Sequence, residues 1–286
     1  MNSSQESLKV AGENIATNEV NLVFNEVLFG IAMLAFVALV VMEKLQPFRR
    51  FNRQVEKKSF VTNTTAFLFN NIILTILRAS SLFFVAQKFS SYGILSDMEN
   101  GPLKWIITSM WFDFAIYIWH VASHHYELLW RFHKIHHSDK SFNVTTGFRF
   151  HVFDLFLEIL YKCLFVIIFG VDAYLVLAIE TVELLFIFFH HSNLSFNAEN
   201  TLSNVIITPA LHRTHHSAVR REHDSNYGIV LALWDRLFST RKELVPEKIG
   251  LDIIEAENFL QLFFLAFITE RHVRKILQLI PRGKKQ

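Results

Sequence analysis

The stretch HVASHHYELLWRFHKIHH, which spans residues 120–137, is the densest group of histidines in the chain. It combines an H-x3-H pattern with an H-x2-H-H box. A second H-x2-H-H box covers residues 212–216, and a pair of histidines at 190–191 lies between the two boxes. Of the 14 histidines, all but one fall between residues 120 and 223. This clustering, in an otherwise apolar chain, is the main functional signal of the sequence.

Histidines at these spacings can converge on metal ions. Residues four apart on a helix share a face, and the i, i+3 and i+4 positions of an H-x2-H-H box do the same. The imidazoles outnumber what one ion can use, so the pattern predicts a two-metal centre. The predicted ligands are His120, His124, His133, His136, His137, His191, His212, His215 and His216. His190 competes with His191 for one place, and His151 is either a further ligand or a hydrogen-bond partner of one.

Iron is the predicted metal. The single cysteine, Cys163, excludes an intramolecular disulfide and a thiolate-based site. Imidazole suits zinc, copper, iron and nickel, but a structural zinc site needs only four ligands and is closed. The surplus of imidazoles therefore favours two iron ions with open positions for O2. Zinc can replace iron in a purified sample, because it binds such sites more strongly.

The composition indicates a membrane protein. Hydrophobic residues make up 51% of the chain, 30 residues are Phe, and the mean hydropathy is +0.28. The net charge of +2 gives no reason to expect nucleic acid as a partner. The polar N-terminal residues do not resemble a secretory signal peptide.

Apolar runs predict an all-α, polytopic bundle of about four transmembrane helices or re-entrant equivalents. The runs are 27–42, 62–89, 103–119 and a hairpin of 153–170 with 173–189. Basic residues between 49 and 58 place the loop after the first run in the cytoplasm. Counting crossings from that loop puts the first histidines in a cytosolic cap. Whether the hairpin crosses the membrane fully is left open.

Several carboxylates and one amide are candidates to orient the metal ligands. A metal-bound imidazole usually donates its second N–H to a carboxylate or a carbonyl oxygen. Asp113 and Glu183 lie in apolar runs, where an unpaired carboxylate costs free energy, so we expect them in this role. Asn226 could orient a ligand or bind a water. The other candidate carboxylates are Asp139, Asp154, Glu180, Asp224 and Asp235. His125 and His223 are interpreted as lying outside the centre.

These motifs together resemble the fatty acid hydroxylase/sterol desaturase superfamily, over about residues 113–240. Beyond the histidine boxes, the resemblance rests on Asp113-x3-Tyr117-x2-His120, Leu129-Trp130-Arg131-x-His133, Asn226-Tyr227-Gly228 and Trp234-Asp235-Arg236-Leu237-Phe238. HHSDKSFNVTTGFRFH (136–151) and His191-x-Asn193 are similar to the bacterial, sterol-desaturase-like branch.

The resemblance implies a membrane-bound diiron enzyme that uses O2 to hydroxylate or desaturate an alkyl C–H bond of a lipid. It also implies an external electron carrier, such as a cytochrome b5-like protein, a ferredoxin or a reductase, and a bacterial inner-membrane location. The predicted units are a polar leader (1–26), a transmembrane hairpin (27–102), a catalytic domain (103–243) and a tail (244–286) with an interfacial helix at 258–268. The alternatives are a membrane metal-binding or transport protein and an inactive structural relative.

Overall fold

The computed structural model describes residues 26–77, 82–251 and 258–269. Across these ranges the ordered elements are helical, and the extended pairing amounts to two isolated β-bridges, Ile206 with Leu231 and Ser217 with Ile249. The prediction of an all-α chain is therefore confirmed for the described residues. The predicted leader lies outside them except for Glu26.

Long helices form the body of the structure, and short ones carry the histidine boxes. The long ones are α1 (Glu26–Leu45), α2 (Arg53–Ile76), α4 (Pro102–His125), α6 (Val152–Phe169) and α7 (Ala173–His190). The short ones are α3 (Leu82–Phe89), α5 (Glu127–His133), α8 (Glu199–Leu202), α9 (Pro209–His215), α10 (Arg220–His223), α11 (Leu233–Leu237) and α12 (Phe259–Leu265). Two 3₁₀ turns cover His136–Ser138 and Val144–Phe148.

Two of the described helices, α1 and α7, are long and apolar enough to cross a membrane. Only 6% of the α1 span is buried inside the protein, against 39% of the α7 span. An apolar helix that exposes nearly all of its surface is unfavourable in water, so α1 suits a lipid environment. The predicted total of about four spans stays a prediction.

The second apolar run is divided, which differs from the expectation of one helix over 62–89. α2 begins earlier, at Arg53, because the Asn52 side chain accepts a hydrogen bond from the Gln54 N–H at 2.8 Å and caps the helix. α2 ends at Ile76, and α3 follows as a separate helix. Two of the basic residues assigned to a cytoplasmic loop, Lys57 and Lys58, therefore lie on the first turns of α2.

α3 packs between α6 and α7 and forms the centre of the apolar core. Ala86 of α3, Val166 of α6 and Val176 of α7 are all fully buried there. α6 ends at Gly170, whose φ of +66° favours glycine, and the Asp172 side chain caps α7 by accepting from Tyr174 N–H at 2.9 Å. The two helices thus match the predicted hairpin closely.

The loop after α3 lies at the same end of the bundle as this turn. Ile94 N–H donates to Ile168 O at 2.9 Å, and Leu95 N–H donates to Phe169 O at 3.0 Å. α4, α6 and α7 each extend between this end and the histidine-rich end. α4 alone has 24 residues, which is a rise of about 36 Å at about 1.5 Å per residue. The histidines therefore lie at one end of the bundle and both turns at the other.

The predicted interfacial helix at 258–268 is observed as α12. Its Phe259 ring lies 4.9 Å from the Phe69 ring of α2, centroid to centroid, which fixes one face of α12 on the bundle. Leu260 and Phe264 on its other sides are 65% and 60% exposed. The exposed apolar side suits a membrane surface, and contact with lipid stays a prediction.

Candidate metal centre

The structure gathers nine histidines into two buried groups. In each group the nitrogen atoms that could bind a metal all lie within 4.8 Å of one another. Group 1 consists of His120, His124, His133, His137 and His215, and group 2 consists of His136, His191, His212 and His216. These are the nine residues that the sequence spacing predicts to meet. The groups adjoin, since the rings of His137 and His216 stack with their centroids 4.5 Å apart.

Each H-x2-H-H box divides its histidines between the two groups. The first and last histidines of one box, His133 and His137, enter group 1, whereas His136 enters group 2. The other box is reversed, because its outer histidines enter group 2 and His215 enters group 1. The three imidazoles of each box lie close together, as expected, but they do not all belong to the same group. Both boxes divide in the same way, as helical periodicity predicts: at about 100° per residue, the i+4 position lies about 40° from i on one side and the i+3 position about 60° from i on the other.

Hydrogen bonds at Nδ1 fix the orientation of four rings in group 1. His120 donates to Tyr227 O at 2.7 Å, and His215 donates to Ser225 O at 2.7 Å. His133 and His124 contact carboxylates, at 3.0 Å from Asp154 Oδ2 and 3.3 Å from Asp224 Oδ1. Carbonyl and carboxylate oxygens only accept, so Nδ1 carries the proton and Nε2 keeps its lone pair for a metal.

In group 2 the ring nitrogens approach one another directly. Nε2 of His191 lies 3.0 Å from Nε2 of His136 and 3.0 Å from Nε2 of His212. Nε2 of His212 also lies 3.2 Å from Nε2 of His216. His191 also donates its Nδ1 proton to Ile187 O at 2.7 Å, so its Nε2 has a lone pair and no proton when the ring is neutral. Lone pairs that converge in this way are typical of imidazoles around a common cation.

Burial keeps these imidazoles in the form that binds metal. Burial and the neighbouring imidazoles lower the pKa of His212 and His216 well below the usual value, and burial lowers the pKa of His191 to about 4. The rings are therefore neutral at pH 7, as metal ligation requires. The Nε2 atoms of His124, His133 and His215 and both ring nitrogens of His137 are buried with no hydrogen-bond partner among the described residues. Such atoms are costly in a folded protein unless something coordinates them, so the donor set fits metal ions.

The chain segment before residue 252 ties the two boxes together. Leu251 N–H donates to His137 O at 3.1 Å, and Gly250 N–H donates to His216 O at 3.0 Å. One residue earlier, Ile249 forms the β-bridge with Ser217. Sequence reasoning assigned this segment to the tail and missed its role, since backbone donors leave no side-chain pattern.

Residues 105–240 match the model of the fatty acid hydroxylase family. The match covers a little under half of the chain and shows what this region is similar to. The resemblance inferred from the histidine boxes and the flanking motifs is thereby confirmed. The matched region holds all nine grouped histidines but ends before the Gly250 and Leu251 contacts.

Curated proteins are similar to this chain over part of their length. Alkylglycerol monooxygenase of Xenopus tropicalis is 25% identical over 219 residues, which cover 76% of this chain and 47% of that protein. The Homo sapiens alkylglycerol monooxygenase is 28% identical over 170 residues, 57% of this chain and 38% of that protein. The ornithine lipid hydroxylase OlsE of Rhizobium tropici is 27% identical over 230 residues, 74% of this chain and 66% of that protein. The chain thus spans less than half of the two monooxygenases. No solved structure matches it.

The loop Asp224–Tyr227 orients three ligands of group 1. It supplies the Asp224 carboxylate and the Ser225 and Tyr227 carbonyl oxygens described above. Asn226, at φ +52°, holds the loop by donating from Nδ2 to Leu211 O at 2.9 Å and to Lys242 O at 2.8 Å. Leu211 directly precedes His212. Asn226 therefore acts on the ligands through the backbone, as the sequence allowed, and contacts no imidazole itself.

Asp113 and Glu183 do not contact the metal-binding imidazoles, which differs from the expectation. Asp113 accepts hydrogen bonds from Trp234 Nε1 at 2.8 Å and from the Val230 and Leu231 N–H groups at 3.2 and 3.3 Å. It thereby fixes the loop beside the Tyr227 carbonyl. Glu183 instead pairs with Lys162 at 2.8 Å. Among the candidate carboxylates, Asp154 and Asp224 are the ones placed on ligands.

Asp139 follows the first box and anchors it to α2. Its Oδ2 accepts from Ser59 Oγ at 2.8 Å, Asn63 Nδ2 at 2.8 Å and Thr146 Oγ1 at 2.9 Å. Burial would raise the pKa of Asp139, but Arg149 and these hydrogen bonds outweigh it and hold the pKa below its usual range. The carboxylate is therefore ionised and fully bonded, and it fixes the loop that leaves His137.

The remaining histidines lie outside the two groups. His151 caps α6 by accepting from Phe153 N–H at 3.2 Å, and its ring contacts phenylalanines rather than imidazoles. His190 donates from Nδ1 to Ile229 O at 3.2 Å and stacks near His212, so the geometry favours its neighbour as the ligand. His223 is only 2% exposed and lies against His124 and Asp224, which corrects its interpretation as a solvated residue. Asp235 binds the Tyr227 and Gly228 N–H groups, both at 2.8 Å.

A cavity of about 50 Å³ lies between the bundle and both histidine groups. Histidines of group 1 (His120 and His133) and of group 2 (His136, His191 and His212) line it. Its other walls are Ile116 and Trp119 of α4, Phe150, Glu158 of α6, Glu183, Ile187 and His190 of α7, and Ile229. A small group held there would lie beside both sets of ring nitrogens.

Proposed function

We propose that this protein is a membrane-bound diiron oxygenase, which uses O2 and an external electron donor to hydroxylate or desaturate an alkyl C–H bond of a lipid. The observation that carries the proposal is the division of nine buried histidines into two adjoining groups. A centre for one structural metal would need only about four such ligands.

The chain's own residues would hold and orient the centre. Group 1 would bind one ion and group 2 the other, through the Nε2 atoms that the Nδ1 hydrogen bonds leave available. Asp154 and Asp224 would raise the basicity of His133 and His124 as ligands. Two iron ions held here would supply the oxidising chemistry that inserts an atom of O2 into a C–H bond, with water as the second product after two electrons and two protons are added.

The walls of the cavity suit a substrate with an alkyl part. Ile116, Trp119 and Ile187 present apolar side chains beside the imidazoles and exclude water from the reacting carbon. The printed names of the relatives, alkylglycerol monooxygenase and ornithine lipid hydroxylase, favour a lipid substrate and monooxygenation over metal transport.

The proposed location is a bacterial inner membrane, with the histidine end in the cytoplasm. The exposed apolar surface of α1 supports membrane insertion. Arg49 and Arg50 lie between α1 and α2, near the histidine end, and Arg53 begins α2. Basic residues favour the cytoplasmic side. A cytoplasmic centre would be accessible to a soluble electron carrier such as a ferredoxin or a cytochrome b5-like protein.

The test is metal analysis of protein produced with ample iron and little zinc, followed by O2 consumption with lipids and a chemical reductant. We expect two iron ions per chain and lipid-dependent O2 consumption. His136→Ala removes a ligand from group 2 and should abolish turnover, whereas His125→Ala, at an exposed histidine, should leave it intact. Full turnover by His136→Ala would refute the dinuclear scheme.

A further inference from the structure

A cluster of one lysine and three glutamates reaches the cavity through Glu158 and Glu183, which line it. Lys162 Nζ lies 2.8 Å from Glu183 Oε2, 3.1 Å from Glu158 Oε1 and 3.6 Å from Glu180 Oε1. Three carboxylates thus surround one ammonium group. None of these four residues contacts a grouped histidine through a hydrogen bond, so metal binding leaves the cluster unexplained.

Glu183 differs from the other two carboxylates. It is only 4% exposed and lines the cavity, and its Oε1 is buried with no hydrogen-bond partner among the described residues. Lys162 holds the other oxygen, Oε2, and so fixes the orientation of the carboxylate. Because a buried carboxylate oxygen without a donor costs free energy, Oε1 is expected to meet a donor that enters the cavity.

The cavity is small. Its 50 Å³ is a few times the roughly 10–15 Å³ that one water molecule needs in such a cavity, so a polar group and the few carbons next to it would fill it. His120 and His136, one from each group, line the same space. A donor that meets Glu183 in so small a space lies close to the carbon next to the metal-binding imidazoles.

We propose that Glu183 Oε1 accepts a hydrogen bond from an O–H or N–H group that the lipid carries next to the carbon to be oxidised. The inference rests on the proposed lipid oxygenase function and narrows its substrate. The substrate is then a lipid oxidised at its polar end. A methylene group in the middle of an acyl chain would leave Oε1 without a donor, and sites built to bind a polar group discriminate strongly against analogues that lack it.

Two variants separate this role from a structural ion pair. In Glu183→Gln, the lysine ammonium can only donate, so the amide oxygen turns to Lys162 and the amide NH2 faces the cavity. The acceptor becomes a donor with little change in shape. Glu180→Gln is the matched control, because it removes the same charge from the same helix and Glu180 does not line the cavity.

The experiment measures binding without turnover. Zinc-loaded protein in lipid nanodiscs is titrated with hexadecane-1,2-diol or with its dimethyl ether, and quenching of tryptophan fluorescence is recorded, since Trp119 lines the cavity. We expect the wild type and Glu180→Gln to bind the diol at least about tenfold more tightly than the ether. Glu183→Gln should bind the two within about twofold of each other. Zinc content confirms that each variant keeps its metal centre.

Equal binding of diol and ether by the wild type would overturn the proposal, and this result does not depend on any variant folding. A preference for the diol that survives in Glu183→Gln would also overturn it. The oxygenase function is tested separately with iron-loaded protein and the same diol. Selective binding without O2 consumption would support the polar site and refute the proposed reaction.

Discussion

At the scale of single residues, the centre depends on acceptors that fix each imidazole. Asp154 holds the Nδ1 proton of His133, and the carbonyl oxygens of Tyr227 and Ser225 hold those of His120 and His215. Each contact selects the tautomer whose Nε2 faces the other ligands. The partners of a metal-binding histidine therefore contribute to affinity without touching the metal.

Asp154→Asn should weaken metal binding at group 1 more than at group 2. The amide keeps the size of the side chain but loses the charge that increases the basicity of His133, and such changes typically cost about 10–100-fold in affinity. Competition with a chelator measures the affinity at each site. Asp97→Asn, at an exposed position in the loop before α4, is the control. Equal weakening of both sites would contradict the assignment of Asp154 to group 1.

Gly147→Ala should disturb group 2 through crowding. A Cβ at Gly147 would lie 2.8 Å from Ile187 Cγ2 and 3.5 Å from His191 Nδ1, and crowding of this kind costs about 1–3 kcal/mol. We expect a lower melting temperature and a lower metal content at group 2. Gly30→Ala, where nothing lies within 4 Å of an added Cβ, should change neither. A normal metal content in Gly147→Ala would show that α7 adjusts without moving His191.

The sequence allows a good prediction at this scale for the ligands and a poor one for their partners. The H-x3-H and H-x2-H-H spacings select the nine histidines, because helical periodicity brings such positions to one side. Two of these hydrogen-bond partners are backbone carbonyl groups, which every residue carries, so no sequence pattern marks them. Asp113 and Glu183 are selected for their apolar surroundings, but Asp113 bonds to Trp234, and Glu183 pairs through Oε2 with Lys162.

At the scale of elements, turns and loops bring the histidines together. The 3₁₀ turn after α5 carries His136 and His137, and the loop Asp224–Tyr227 contacts three ligands of group 1. The boundaries of α6 and α7 follow from the sequence because Gly170 and Asp172 mark them. The start of α2 does not follow from the sequence, because the first turn after the Asn52 cap is charged and resembles a loop.

The strand-like segment at Lys248–Leu251 is expected to be essential for the centre. Leu251→Pro removes the N–H that donates to His137 O, and loss of such a bond with its buried acceptor costs about 1–3 kcal/mol. We expect a lower free energy of unfolding and less bound metal. Leu251→Val keeps the N–H and should retain the metal. If Leu251→Pro binds metal normally, the segment is not needed to join the boxes.

At the scale of the whole molecule, the bundle separates a histidine-rich end from the end that carries the turns. α4, α6 and α7 connect the two ends, and α1 exposes an apolar surface that has no partner among the described residues. The basic stretch after α1 predicts from the sequence that these two ends lie on opposite sides of the membrane. The sequence cannot count the crossings, because α2 and α6 carry polar and charged residues that an isolated spanning helix would avoid.

Labelling of introduced cysteines should establish which parts lie on each side of the membrane. In a Cys163→Ala background, Lys57→Cys should react with an impermeant maleimide only from the cytoplasmic side, and Asp97→Cys only from the opposite side. Both positions are exposed in the structure. Reaction of both from the same side would indicate that α2 and α3 enter and leave the membrane without crossing it.

The exchange of histidines between the boxes links the fates of the two ions. An ion bound by His133 and His137 in group 1 would also hold their neighbour His136, a member of group 2, in place, and His215 links the groups in the opposite direction. Loading of one group should therefore favour loading of the other, so that partly supplied protein contains more fully loaded molecules than independent sites would give. A cell short of iron would then contain a small number of molecules with both ions rather than many molecules with one.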